Sequence, residues 1–296
     1  THHCEIRWTE EAGFLPLTDR DVNTLWGRMN KTVGRVYLTD IYNVIHSEFV
    51  PLFNPFQSYF DHLPSWDGVS DPIGDLADTV HVKSDQAEFR DYFRKWFVGI
   101  LPALLDDTVV NHEILVLIGE QGLYKTTWFN FLLPPELRFG YTDSIDFKSK
   151  QDAERSLGRF FLINIDEFDQ ISVNQQGFLK HLLQKPVANL RKPYGTAIQE
   201  IRRYASFIAT SNQKDLLTDP SGSRRFICIE VTGPIQTNVT INYHQLYAQA
   251  MHDIMKGERY WLDDSDEAIL KQTNREFEQP TPLEQLFLCH FHPAEK

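Results

Sequence analysis

The strongest constraint on the fold is a run of five apolar residues, Ile114-Leu115-Val116-Leu117-Ile118. It passes directly into Gly119-Glu120-Gln121-Gly122-Leu123-Tyr124-Lys125-Thr126-Thr127. An unbroken apolar run of that length suits a strand covered on both faces, as in a parallel sheet. Glycines just beyond such a strand let the backbone turn tightly and point successive N–H groups at phosphate oxygens. A Lys then reaches the outer phosphates, and a hydroxyl at the start of the next helix serves Mg²⁺. Gly119, Gly122, Lys125 and Thr126 stand where this design needs them, with Tyr124 and Thr127 completing the loop. Tyr124 occupies the position where G-x-x-x-x-G-K-[ST] asks for a second Gly, so the loop departs from the pattern there.

Three further apolar runs follow. Phe160–Ile165 closes on Asp166-Glu167, 41 positions after Lys125. In nucleotide hydrolases of this kind the first acid holds the Mg²⁺ shell and the second polarises the attacking water. A strand that simply meets solvent can also end in acids. Tyr204–Thr210 leads into Ser211-Asn212, where Asn212 is either a γ-phosphate sensor or an ordinary turn residue. Phe226–Val231 is preceded by Gly222-Ser223-Arg224-Arg225. Arg224 and Arg225 are either a surface pair or the source of an arginine finger, since guanidinium groups suit spread phosphoryl charge. Strands alternating with helix-like stretches describe an α/β nucleotide-type fold. The carboxylate pair is expected to close the strand neighbouring the loop strand and to face the loop.

The flanks read as helical. Residues 1–112 carry helical periodicity at Val22, Leu25, Trp26 and Met29, and again over Leu38–Phe49. Phe89, Tyr92, Phe93, Trp96, Phe97 and Ile100 form an aromatic stripe read as core. The tail beyond Pro234 shows three helical stretches. The expected organisation is a mainly helical region over 1–112, a core over 113–233 and a helical segment over 234–296. The chain opens Thr1-His2-His3-Cys4 without Met and reads as part of something longer. Three dispersed cysteines give neither a disulfide framework nor metal spacing, so a cytoplasmic setting is expected. No run nears the roughly 18 apolar residues of a membrane-spanning helix.

The net charge is −12, divided as −8, +1 and −5 over the three segments. A protein that coats duplex DNA is expected to be basic overall, so contact with nucleic acid falls to a local surface. Lys180 to Arg225 holds nine Lys/Arg against three acids, which describes such a surface or a solvated face. Within it, Val187–Leu190 and Ala197–Ile198 flank a Pro-x-Gly turn, a hairpin with Arg191, Lys192 and Tyr194 near its tip. A cation beside an aromatic ring suits single-stranded nucleic acid; an exposed basic turn gives the same pattern.

The order of loop, Asp-Glu strand, Arg-Lys-Pro-Tyr-Gly hairpin, Thr-Ser-Asn strand end and Gly-Ser-Arg-Arg-Phe resembles the virulence-associated protein E group. The upstream Asn54-Pro55-Phe56 and Trp66-Asp67-Gly68 stretch is similar as well. The resemblance implies a P-loop NTPase core of the AAA+/superfamily 3 helicase type, found in mobile elements and phages and often behind a primase domain. It implies that Lys125 and Thr126 bind ATP and Mg²⁺, that Asp166 holds the metal, that Glu167 is the base and that Asn212 is the sensor. Arg224 or Arg225 would act in trans within a homo-oligomeric ring, usually a hexamer, whose channel Lys192 and Tyr194 line for single-stranded or forked DNA. The expected activity is an ATP-hydrolysing DNA helicase or translocase. The alternative is a nucleotide-binding, DNA-associated assembly module with little hydrolysis. A small-molecule kinase leaves the basic hairpin without a job.

Overall fold

A computed structural model of the chain describes residues 5–6, 15–50, 54–106, 108–191, 198–218, 220–280 and 282–291. Two units result, Thr1–His62 and Leu63–Lys296. The first holds an antiparallel pair, β1 (Glu5–Ile6) and β2 (Leu15–Pro16), with helices α1 (Asp19–Thr32), α2 (Leu38–Ile45) and α3 (Pro55–Asp61). The Asn-Pro pair is a helix start: Asn54 Oδ1 accepts from the N–H groups of Phe56 and Gln57 at 3.1 and 3.2 Å, and Pro55 takes the first helical position.

The second unit begins with α4 (Pro72–Asp78) and α5 (Gln86–Leu105), followed by β3 (Ile114–Ile118), α6 (Lys125–Asn130), β4 (Tyr141–Thr142) and α7 (Lys150–Leu157). Next come β5 (Leu162–Ile165), α8 (Val173–Gln184) and the strands β6 (Val187–Arg191), β7 (Ile198–Arg202), β8 (Ser206–Ser211) and β9 (Phe226–Glu230). Helices α9 (Tyr243–Met255), α10 (Asp264–Thr273) and α11 (Pro282–His290) close the chain. The boundaries expected at 112/113 and 233/234 both fall inside this unit.

Five strands form one parallel sheet in the order β4-β5-β8-β3-β9, while β6 and β7 pair antiparallel outside it. All residues of β3, β5 and β8 are buried, which explains their lack of polar alternation. The acid-bearing strand does not neighbour the loop strand as expected, because β8 lies between β5 and β3. Buried parallel strands look alike in sequence, so their lateral order is set by crossovers and not by local pattern. The edge strand β4 has only two residues and carries no periodic signal.

The aromatic stripe of α5 is core. Phe89, Phe93, Trp96 and Phe97 are buried; Phe93 meets Trp128 of α6 at 5.4 Å between ring centroids, and Phe97 meets Tyr247 of α9 at 5.4 Å. Trp128 also donates to Thr79 Oγ1 at 2.8 Å, while the hydroxyls of Tyr243 and Tyr247 donate to the carbonyls of Phe131 and Leu132. These bonds fix the short helix that follows the glycine loop. Trp66-Asp67-Gly68 is a turn braced on α9: Asp67 Oδ1 accepts from the N–H groups of Val69 and Ser70, Asp67 N–H donates to Gln245, and the Trp66 ring lies 4.7 Å from that of His252. Gly68 supplies the left-handed φ of 75° that this turn requires.

Part of the basic stretch is internal or paired, so its charges do not all lie on one exposed face. Arg203 is buried and donates to the carbonyls of Asn111, Leu182, Leu183 and Ala205 at 2.6–3.1 Å. Burial pulls its guanidinium down to about 9, with the Glu113 carboxylate opposing. Arg202 donates to the carbonyls of Ala103, Leu104 and Asp106 at the end of α5. Lys185 pairs with Glu154, Lys214 with Glu230 and Arg224 with Glu267. Charge counting assumes exposure, and these side chains act as clamps on carbonyls and carboxylates instead. Substituting Arg203→Leu removes the donor to four carbonyl oxygens and is expected to cost about 3 kcal/mol or more in urea unfolding. A loss below about 1 kcal/mol would mean those oxygens are satisfied without it.

Candidate functional site

The site lies where β3, β5 and β8 end. Gly119 follows β3, and its N–H donates to the Ser211 carbonyl at 3.1 Å. A Cβ on Gly119 would stand 2.9 Å from the Val231 carbonyl oxygen, so only Gly lets the chain beyond β9 approach so closely. Gly122 has φ 88°. Tyr124, where the pattern wants Gly, itself adopts the left-handed conformation, φ 62° and ψ 25°, immediately before α6. Its side chain is 53% exposed, so the ring does not fill the loop. The loop therefore keeps its turn at a backbone cost of about 1–2 kcal/mol.

Lys125 is buried, and its Nζ donates to the carbonyls of Gly119 and Glu120 at 2.6 and 2.8 Å and to Asn212 Oδ1 at 3.1 Å. Burial lowers its proton affinity, and the carboxylates of Asp166 and Asp169 oppose that shift. Thr126 Oγ1 donates to Asp166 Oδ1 at 2.9 Å, and the hydroxyl of Thr210, the next-to-last residue of β8, donates to the same oxygen. Glu167 also has a left-handed backbone, φ 52°, and its N–H lies 3.4 Å from Thr210 Oγ1. Asp166, Glu167, Asn212 and Thr127 are exposed, as an open site requires. The structure thus brings together Gly119, Gly122, Tyr124, Lys125, Thr126, Asp166, Glu167 and Asn212.

The sequence reading missed Thr210 and Asp169. Asp169 Oδ1 lies 3.0 Å from Ser211 Oγ and accepts from Asn212 N–H at 3.1 Å. The only signal was its position three residues after Asp166.

Arg224 and Arg225 are not part of this cluster. They precede β9, and the pairing of Ile114 with Phe226 and Ile118 with Glu230 sets them at the other end of the sheet. The loop lies a strand length away, about 13 Å. Arg224 is paired there with Glu267 at 2.9 Å; burial and the neighbouring Arg224 lower the proton affinity of Arg225. In the hairpin, β6 and β7 pair from Val187↔Arg202 to Arg191↔Ile198. Lys192 and Tyr194 lie outside the described residues, and for Arg191 only the backbone is described. Among the described residues no three His, Cys, Asp or Glu side chains converge as a metal site, and no helix is long and apolar enough to cross a membrane.

A parallel α/β sheet with a glycine loop and converging carboxylates at its strand ends defines a mixed α/β protein with a polar site over the sheet edge. Residues 61–279 match the model of the virulence-associated protein E-like domain, and the chain belongs to that family. Among solved structures it is similar to the apo C-terminal region (305–718) of NrS-1. The match has 13% identity, covers 91% of this chain and 69% of that chain, and has a TM-score of 0.54. An A-form apo structure of the NrS-1 C-terminal region matches at 14% identity and TM-score 0.50, with 91% and 69% covered. These likenesses speak to the fold. No curated protein matches the chain.

Tyr124→Gly relieves the left-handed strain and is expected to raise thermal stability by about 0.5–1 kcal/mol, read from the shift in melting midpoint. A Tyr124→Gly protein that melts lower would show that the ring stabilises the loop by more than the backbone conformation costs.

Proposed function

We propose that the chain is the ATP-hydrolysing, DNA-translocating module of a mobile-element or phage replication protein, with a P-loop NTPase core of the AAA+/superfamily 3 helicase type. The observation that carries this reading is the meeting of Lys125, Thr126, Asp166 and Asn212 from three separate strand ends within hydrogen-bond distance. Ligands of open α/β sheets bind beyond the carboxyl ends of the strands where the strand order switches. The loop after β3 lies at such a point, because the chain leaves β3 for the far edge and later crosses to β9.

In this reading Lys125 exchanges its loop carbonyls for the outer phosphate oxygens of ATP. Glu167, exposed beside Asp166, accepts the proton of the attacking water, and Asn212 orients that water or the γ-phosphate. Thr126 Oγ1 and the Asp166 carboxylate are two hard oxygen donors close enough to share one ion, a donor set that fits Mg²⁺. When bound, Mg²⁺ neutralises developing charge on the phosphates. Arg224 or Arg225 would serve the site of a neighbouring subunit in a homo-oligomeric ring, since within one chain they stand a strand length from the loop. The hairpin, with Arg191, Lys192 and Tyr194, would contact single-stranded or forked DNA in the channel of that ring.

That same separation favours a second reading for the isolated chain: a nucleotide-binding module with little turnover until subunits assemble. Lys125→Ala is expected to reduce DNA-stimulated ATP hydrolysis to background, and unchanged hydrolysis would overturn the site. Arg225→Ala is expected to keep ATP binding within about 2-fold while turnover falls by about 10³. Mixing the two inactive variants should restore part of the activity, because each supplies what the other lacks. Activity that does not change with protein concentration would favour a site complete within one chain.

A further inference from the structure

We propose that Asp169 is a positioning residue, fixing the turn after β8 so that the amide oxygen of Asn212 faces Lys125 inside the glycine loop. The inference rests on the ATP-hydrolysing reading of that loop and adds to it a residue outside the phosphate, metal and base positions.

Asn212 is exposed, so packing does not hold its side chain. It also lies one residue beyond the end of β8, where the strand ladder has stopped. Its aim at Lys125 Nζ, 3.1 Å away, therefore depends on where its backbone is held. The Asn212 N–H donates to Asp169 Oδ1 at 3.1 Å, which replaces the missing ladder bond. Ser211 Oγ lies 3.0 Å from the same carboxylate oxygen and 2.6 Å from the Gln213 carbonyl, and it accepts from Gln213 N–H at 3.1 Å. One hydroxyl proton is thus offered to two oxygens, while the carboxylate also takes a main-chain donor. Residues 211–213 are gathered around Asp169 as a closed turn.

Asp169 is itself held firmly. It lies in the short 3₁₀ turn Phe168–Gln170, where Gln170 N–H donates to the Glu167 carbonyl and Ile171 N–H to that of Phe168. Phe168 is fully buried and meets Phe226 edge-on at 5.5 Å. The turn carrying Asp169 is thereby anchored in the core, and the carboxylate reaches across to the end of β8. A carboxylate aimed at the phosphates would repel them, whereas this one has its donors in the turn.

The test uses the full chain with Mg-ATP and measures kcat, KM and melting temperature for Asp169→Ala, Asp169→Asn, Asn212→Ala and the Asp169→Ala/Asn212→Ala double variant. A 1 Å misplacement of a reacting group costs about 10²-fold. Asp169→Ala should therefore lower kcat by about 10- to 100-fold with KM within about 3-fold, matching Asn212→Ala. The double variant should be no slower than either single one, and Asp169→Asn, which keeps an acceptor oxygen, should recover most of the rate. Rate losses that multiply in the double variant would overturn the proposal. So would a normal kcat in Asp169→Ala, or an Asp169→Asn protein that melts like the parent yet stays as slow as Asp169→Ala. Should Lys125→Ala hydrolyse ATP normally, it is the site itself that fails; should only the Asp169 variants behave as the parent, the site stands and this role for Asp169 does not.

Discussion

Three parallel strands finishing at one level are the constraint on which the site depends. The register that sets Ile118 opposite both Ser211 and Glu230 brings the ends of β3, β8 and β9 together. The pairing of Ile165 with Ala209 brings Asp166 up beside Thr210. In a parallel sheet every strand leaves toward the same edge, so residues following separate strands collect there without long side chains having to reach. Short groups suffice: two threonine hydroxyls on one carboxylate oxygen, an amide oxygen on an ammonium. Slipping β8 by one residue would turn Thr210 to the other face of the sheet and dissolve the cluster.

Within that frame, Lys125 is the most loaded group. Its ammonium lies buried among two carbonyls and an amide oxygen, with carboxylates on the adjoining strand ends. A buried cation lacking oxygen partners is costly, and here the loop backbone supplies them. In the proposed reading, an incoming polyphosphate would offer charged oxygens in place of neutral carbonyls, a stronger partner for the same donor. The lysine is thus satisfied by the loop as it stands, and on the proposed reading a phosphate ligand would satisfy it better. Tyr124 leaves this loop intact: its side chain is largely exposed and its backbone takes the left-handed turn.

What could be read from the sequence follows from how local each cause is. The strands at 114–118 and 226–230 and the stripe of α5 were legible because burial writes itself into consecutive residues. Asp166 follows an apolar run directly, Asn212 stands just past the end of another, and Lys125 closes the glycine loop beyond a third, so their place at strand ends was legible. The place of β8 between β5 and β3 was not, since adjacency comes from crossovers that leave no mark on the strand. Arg202 and Arg203 misled for the opposite reason: a charge in sequence implies water, and only the fold reveals carbonyls enough to bury one. Asp169 was invisible because its partners arrive from 42 and 43 positions away. Tyr124 departs from the glycine that the pattern asks for, and only the fold reveals that its backbone takes the left-handed turn all the same.

The polarity of the sheet also bears on how many chains make a working site. Residues that precede a parallel strand and residues that follow one lie at opposite edges, and no choice of rotamer changes this. Arg224 and Arg225 precede β9, whereas every member of the cluster lies at or just beyond the carboxyl end of a strand. The span between them exceeds the reach of an arginine, and Glu267 of α10 already engages Arg224 where it stands. In the proposed reading, a finger drawn from this pair would therefore serve another molecule, one whose strand ends face this chain's β9 edge. A head-to-tail contact of that kind repeats from one subunit to the next and closes only as a ring or continues as a filament. On the proposed reading, the polarity of the sheet thus separates the arginine pair from the loop within one chain and would leave only head-to-tail assemblies able to join them.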